Sequence, residues 1–439
     1  MNKENFIIIG RRGSGKTALS EFFKFQTEIP KMKVITINQN EIFDEIINQA
    51  KVTFDGPESL VMPKLQKLWE LEVWKQIFKE FNDKDIRITN AYLDTARDSN
   101  KFACAKEAIF EIALRIPIMI TIDTLEKIDT ADTHMMRSLA SLIEYSEGFC
   151  RQNSRRQIFI KIFVSAEVFP HLKEIFILNP LKSLRDEVYL HWRPKDLLRL
   201  ISWRFYQYLQ FHKFSFTDDK LHINWQNYED ILSNVWLPFW GSEIANGKNL
   251  IESTFPYVLR HTQMRPRQLI FLCDKIAKRS FQGQQFPKFY GSDIIAGLKE
   301  GEVDLATEVI NSYSTIYPQV AQILDALGGI PSIFDAKELD RRAHQTAGRW
   351  ETGRYSPSSF RQLVSELGIV GRVRTKNNDN RGIVTADFEY FSKDRLGLIS
   401  SDECVIHPMF YSKFKVSRNA NIIVYPFPDQ PDFAEMKYC

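Results

Sequence analysis

The segment Gly10-Arg-Arg-Gly13-Ser-Gly15-Lys16-Thr17 follows directly on the short apolar run Phe6 to Ile9 and leads into a helical stretch from Ala18 to Phe25. A strand, a glycine-rich loop and a helix in that order restrict the fold more than any other feature of the chain. Glycines let the backbone take positive φ and approach a ligand closely, and the start of the next helix adds the positive end of its dipole. Backbone N–H groups arranged in this way hold a triphosphate. Lys16 is then placed to reach the β and γ phosphates, and the Thr17 hydroxyl to ligate Mg²⁺. The expected nucleotide-binding set is Gly10, Gly13, Ser14, Gly15, Lys16, Thr17 and Ala18. ATP is favoured over GTP, since no guanine-reading NKxD motif is present. Arg11 and Arg12 either help to hold phosphate or sit in solvent.

Such a loop needs a carboxylate on a neighbouring buried strand. The apolar run Pro117-Ile-Met-Ile-Thr-Ile-Asp123 ends in one, which makes Asp123 the expected acid on the magnesium side. Glu126, three residues on, is either the general base that polarises the attacking water or a helix N-terminal residue favoured by the helix dipole. A strand at Lys33 to Ile37 precedes a long helical insertion, in which Leu65, Leu68, Trp69, Val73, Ile77 and Phe81 recur at helical spacing and read as core. A further strand, Ile158 to Val164, ends in Ser165-Ala-Glu167. Ser165 or Glu167 either senses the γ-phosphate or caps the strand end. The last strand of this part is expected at Glu187 to Trp192. Five strand candidates separated by helical sequence imply a parallel sheet covered by helices on both faces, with nucleotide at its carboxyl edge.

At 439 residues the chain is too long for one compact core and predicts several domains. With 44% hydrophobic and 26% charged residues it is ordinary globular material, and a net charge of +3 neither requires nor excludes nucleic acid. Cys104, Cys150, Cys273, Cys404 and Cys439 show no metal-ligand spacing, as expected of reduced thiols. The apolar run at the start is shorter than a signal peptide core or a membrane span, so the expectation is a cytoplasmic protein without a membrane partner. The aromatic content of 13% reads as large apolar cores rather than base stacking.

From Pro194 the pattern turns helical and is expected to stay so through residue 312. Within it, Tyr257-Val-Leu-Arg260-His-Thr-Gln-Met-Arg265-Pro266-Arg267 gathers three arginines where a proline opens a new helix, a place that attracts phosphate. With GRRGSGKT, IMITIDTLE, LHWRPKDLLRLISWR and RPRQLI in view, the chain resembles the STAND and origin-recognition-like, AAA+-related branch of P-loop ATPases. That resemblance implies a nucleotide-binding core, a helical lid and a C-terminal winged helix. It also carries nucleotide contact over to Pro266 and, as a sensor-2-like arginine, to Arg267. The alternative for Arg267 is an ordinary surface position. STAND proteins commonly place an arginine just after the fourth strand, where this chain has Ser165-Ala-Glu167. The arginine finger is therefore unassigned, with Arg155, Arg156 and Arg185 as candidates if a neighbouring subunit completes the site.

After Tyr313, helices at Val320 to Leu327, Ala336 to Gln345 and Pro357 to Leu367 precede strands at Ile369 to Arg374 and Ile383 to Phe391, the pattern of a winged helix. DNA would meet the last helix and phosphates would meet Arg372, Arg374, Lys376 and Arg381. Residues 313 to 439, however, carry 16 Lys and Arg against 15 Asp and Glu, so a basic footprint is absent and protein contact is favoured.

The expected architecture is an α/β P-loop core at 1–192, a helical lid at 193–312 and a winged-helix-like domain at 313–439. The leading reading is an ATP- and magnesium-dependent switch that hydrolyses ATP and acts on a protein partner or effector. Homo-oligomer formation and DNA binding through the winged helix are the other partner readings. By resemblance alone, the setting is signalling or antiviral defence. The rivals are an origin-recognition-like DNA-associated ATPase and a scaffold that holds ATP without turning it over.

Overall fold

The computed structural model describes residues 6–427 except 26–31, 38–45, 47, 49–57, 94–98, 124–129, 131, 176, 178–183, 185–186, 215–222, 247–249, 352, 377–381, 392–393 and 418–421. By their contacts these residues form two compact units, Met1–Leu190 and His191–Cys439.

The first unit is built on a five-stranded sheet in the order β2-β3-β4-β1-β5. Its strands are β1 (Ile7–Gly10), β2 (Lys33–Ile37), β3 (Ile118–Asp123), β4 (Ile158–Ser165) and β5 (Val188–Tyr189). Every pairing is parallel, as the alternation with helical sequence implied. β1 and β4 are buried throughout, which is why both read as mainly apolar rather than as alternating runs, with Lys161 the buried charge inside β4. β5 is shorter than the expected Glu187 to Trp192: Val188 and Tyr189 pair in register with β1, and Leu190 N–H adds a last bond to Ile9 O at 2.8 Å.

α1 (Lys16–Phe25) follows the loop after β1. α2 (Glu58–Phe81), α3 (Ile86–Leu93) and α4 (Ser99–Ala113) connect β2 to β3, and α5 (Thr133–Asn153) connects β3 to β4. Asp132 caps α5 by accepting the N–H groups of His134 and Met135. The helical stripe holds: Leu65, Trp69, Val73, Ile77 and Phe81 are buried, while Leu68 is half-buried. Trp69 fixes α2 on α5, its indole donating to Ser138 O at 3.0 Å and Ser141 Oγ at 3.1 Å. A buried indole requires such a partner.

The second unit opens with α7 (Pro194–Phe211), after α6 (Phe169–Ile175) closes the helices of the first. Helical sequence continues, as expected, into α8 (Pro266–Gln282) and α9 (Gly291–Ser312), but a two-stranded antiparallel sheet intervenes, β6 (Glu243–Ala245) and β7 (Ile251–Ser253). Trp236 stacks on Trp240 at 4.3 Å and Trp240 meets Phe289 at 4.1 Å, so the aromatic residues do go into core here.

Beyond α9 the three expected helices appear as α10 (Val320–Leu324) with a 3-10 turn to Leu327, α11 (Lys337–His344) and α12 (Pro357–Glu366). The hairpin follows as β9 (Val370–Lys376) and β10 (Ile383–Asp387), but it is not a free wing. β8 (Ile333–Asp335), β11 (Glu403–Ile406) and β12 (Ile423–Tyr425) extend it to a sheet of order β12-β10-β9-β11-β8. β9 thus lies between two neighbours, and strands of three or four residues gave too little period-2 pattern to be read. Among the described residues, no helix is long and apolar enough to cross a membrane.

Candidate functional site

In a parallel sheet all strands end on one edge. β4 runs between β1 and β3 in register, with Ser165 level with Gly10 and Phe163 level with Asp123. The glycine loop, the acid and Ser165 therefore converge on the carboxyl edge.

The loop is shaped by its glycines. Gly13 and Gly15 have φ of 79° and 96°, a region that side chains other than glycine disfavour. Gly10 is needed for a different reason. A Cβ there would lie 2.5 Å from Ser14 Oγ and 3.1 Å from Lys16 Cγ, so a larger residue would push the Ser14 and Lys16 side chains out of place. Ser14 N–H closes the turn on Arg11 O at 3.0 Å, and Leu19 N–H reaches Gly15 O at 2.9 Å as α1 begins.

Lys16 is buried, and its Nζ donates to Gly10 O at 2.8 Å and Arg11 O at 3.3 Å. Thr17 is exposed at the head of α1 and donates its hydroxyl to Asp123 Oδ2 at 2.7 Å. Two side chains 106 positions apart, singled out for the same metal, thus touch. Both offer hard oxygen atoms at an open edge, the donor type that Mg²⁺ takes. An arrangement of loop lysine, hydroxyl and strand-end carboxylate fits a nucleotide–magnesium complex. Ser14 is buried in the loop, and Ala18 is exposed on the first turn of α1.

Ser165 and Glu167 do not stand apart as two alternatives. The buried Glu167 carboxylate accepts the Arg12 backbone N–H at 3.0 Å through Oε1 and the Ser165 hydroxyl through Oε2. Ala166 N–H donates to Gly10 O at 3.1 Å. Glu167 therefore ties the strand end to the loop from behind, a role that the sequence reading had only as strand-end cap or phosphate sensor. Arg11 and Arg12 are both half-buried rather than solvated.

Glu126 and Arg185 lie outside the described residues, as do Arg381 and the side chain of Lys376. Arg155 is exposed, and Arg156 is held within its own unit, its guanidinium 3.9 Å from the Phe110 ring centroid and 4.0 Å from Glu107.

In the second unit the three arginines near Pro266 are parted. Pro266 is buried at the first turn of α8. Arg265 is buried and donates to Gln263 Oε1, and Arg260 is buried against Glu252 at 3.0 Å. Arg267 alone faces outward, 62% exposed, with Glu308 at 3.7 Å. The helix start therefore offers one outward cation rather than three, because two are consumed by packing. On the hairpin, Arg372 lies 3.0 Å from Asp402 and donates to Leu396 O and Gly397 O, and Arg374 lies 3.7 Å from Asp387. Arg361 of α12 pairs with Asp340 and donates to Leu398 O.

The fold and this edge define the class: an α/β P-loop nucleotide-binding fold followed by a helical and mixed-sheet unit. Two solved structures align with most of the chain, both of the Aeropyrum pernix ORC2 protein. The first is of ADPNP-ADP complexes, at 11% identity over 93% of this chain and 85% of that one, with a TM-score of 0.38. The second is of the ADP form, at 12% identity over 93% and 84%, with a TM-score of 0.31. A likeness that loose carries no inference about what this chain binds or does. No protein-family model matches the chain, and no curated protein matches it in sequence.

Proposed function

We propose that the chain binds ATP with Mg²⁺ at the Gly10–Thr17 loop and hydrolyses it slowly, as a switch that acts on a protein partner. The observation that carries this reading is the contact of Thr17 with Asp123 at 2.7 Å beside a loop lysine held on Gly10 O. Gly10, Gly13 and Gly15 shape the cradle, and the N–H groups from Gly13 to Ala18 face phosphate oxygens. Lys16 exchanges the carbonyls of Gly10 and Arg11 for phosphate. Thr17 and Asp123 hold the magnesium side, where the ion neutralises charge that develops on the phosphates. Glu126 stays the proposed base that polarises the attacking water, and Ser165, positioned by Glu167, is the proposed sensor of the γ-phosphate.

Pro266 and Arg267 are proposed nucleotide contacts, with Arg267 free to reorient because its ion pair with Glu308 is exposed and weak. Arg361, Arg372 and Arg374 each meet an aspartate, and this together with the even charge of residues 313 to 439 supports a protein rather than DNA as partner. The resemblance to signalling and defence ATPases suggests the setting.

The test is Mg²⁺-dependent phosphate release from ATP by the full chain, as wild type, Lys16→Ala and Glu126→Gln, with and without duplex DNA. The expected result is slow turnover that DNA does not change, reduced about 10²- to 10³-fold in either variant. Wild-type turnover in Lys16→Ala would remove the loop from the mechanism. Stimulation by DNA would replace the protein partner with nucleic acid.

A further inference from the structure

Away from the sheet edge, α7 and the connection from α8 to α9 leave a row of aromatic rings outside the core of the second unit. Phe281 is 68% exposed, Tyr208 47% and Phe211 82%. Ring contacts join them without a break: Phe281 to Phe286 at 6.2 Å, Phe286 to Tyr208 at 5.9 Å, Tyr208 to His212 at 4.3 Å and His212 to Phe211 at 5.1 Å between centroids. Single apolar side chains in water need no explanation, whereas a connected row of them marks a surface that binds something.

The charge of these stretches has one sign. Residues 197–214 and 275–292 hold seven Lys and Arg and no Asp or Glu. Four of those cations are taken up by acids outside the stretches: Arg199 by Asp196, Lys275 and Arg279 by Glu300, and Lys278 by Asp274. Arg204, Lys213 and Lys288 are exposed, and none of the three meets an acid among the described residues. Each stands one or two positions past a ring, at Trp203, Phe211 and Phe286, so that rings and cations alternate.

A partner that brings a flat apolar face and a negative charge in every repeat matches this alternation, and a nucleic-acid strand does so with base and phosphate. The bases must be unpaired, since a duplex hides their faces in its own stack. Unpaired bases are the ordinary state of RNA loops and ends. Exposed amides of Gln207, Gln210, Gln282 and Gln285 lie on the same stretches. Hydrocarbon would leave them without partners, which sets a lipid surface aside, whereas base edges offer donors and acceptors.

We propose that this face binds single-stranded RNA, with bases on Phe281, Tyr208 and Phe211 and phosphates on Arg204, Lys213 and Lys288. The site draws on no residue of the Gly10–Thr17 loop and stands whether or not the chain turns ATP over.

The test is fluorescence anisotropy of a labelled oligouridylate of about 15 nucleotides, a length within the usual range of such platforms, titrated with the full chain in the absence of ATP. The comparison ligands are oligothymidylate and an RNA duplex of the same length, and polyglutamate as a competitor. The oligouridylate should bind saturably, at least as tightly as oligothymidylate and more tightly than the duplex, with affinity falling as salt rises. Phe211→Ala and Tyr208→Ala should each weaken it by about tenfold. Arg204→Ala should lower the slope against salt by about one. Because Phe211 and Arg204 are exposed, those two variants keep the fold, and an unchanged thermal midpoint verifies it. No saturable binding at low salt, equal affinity in Phe211→Ala and Tyr208→Ala, or a duplex bound as tightly would overturn the proposal. So would tighter binding of oligothymidylate, which assigns the face to DNA, or displacement by polyglutamate at equal charge, which assigns it to an acidic protein.

Discussion

The carboxyl edge of the first unit and the interior of the second use the same kinds of residue to opposite ends. At the edge, Thr17 and Asp123 meet in the open, and Lys16 rests on backbone carbonyls that a stronger partner can displace. In the second unit Arg260 and Glu252 are buried at 3.0 Å and backed by Asn246 and Tyr425. Ionic and hydroxyl groups near water can change partners at little cost, whereas a buried pair that loses one member leaves a charge stranded in a poor solvent. The first arrangement suits exchange and the second suits permanence.

The largest effect should come from the permanent side. Arg260→Met leaves Glu252 buried without its cation and is expected to destabilise the second unit by about 3–5 kcal/mol. Urea unfolding of the full chain, followed through the buried tryptophans Trp236 and Trp240, measures it. A loss below about 1 kcal/mol would mean that the pair is exchangeable after all.

Next is Asp123→Asn, which keeps the shape of the edge and removes its charge. Turnover should fall about 10²-fold at saturating ATP and be partly restored by raising Mg²⁺, as a titration of initial rates would reveal. Equal Mg²⁺ dependence in both proteins would detach Asp123 from the metal.

Glu167 sits between the two regimes, buried yet tied to the exchanging loop. Glu167→Ala leaves the Arg12 N–H unsatisfied and should weaken nucleotide binding by about tenfold, near 1.4 kcal/mol. Glu167→Gln keeps one carbonyl oxygen for that N–H and should stay within about threefold. Calorimetric titration with a non-hydrolysable ATP analogue separates the two.

An effect of similar size is set by pH. Burial first, with the Arg265 guanidinium adding to it, holds His407 well below the ordinary imidazole value. Its folded form is neutral, so its contribution to stability is complete above about pH 6.5 and is lost as pH falls through the window below that value. The unfolded chain then binds a proton that the folded one refuses. At pH 5.5 the loss is about 1.4 kcal/mol relative to pH 7.5, and His407→Asn should flatten that slope in paired unfolding curves. An unchanged slope would assign the pH dependence to other groups.

What could be read in the sequence was what local geometry dictates. The loop was legible because glycine, strand and helix must follow one another within twenty residues. Asp123 was legible because an apolar run ending in an acid has one place to end in a parallel sheet. Glu167 was seen but not understood, since whether it or Ser165 meets the loop depends on the register that sets Ser165 against Gly10. The Arg260–Glu252–Tyr425 network was not legible at all: Tyr425 lies 173 positions from Glu252, and nothing local in either residue announces the other. Arginines near Pro266 looked alike in sequence, and only packing decided which of them would face outward.

The hydrogen bond between Thr17 and Asp123 has a further consequence, which is one of time. A threonine hydroxyl at an exposed helix start reorients in picoseconds to nanoseconds. Breaking the bond subtracts on the order of 1.5–3 kcal/mol from the affinity of whatever takes its place, because the acceptor is charged. It adds nothing to the wait. On the proposed reading the pair would work as a threshold rather than a gate: a weakly held cation would fail to displace it, and one brought in with phosphates would be admitted as fast as it arrives.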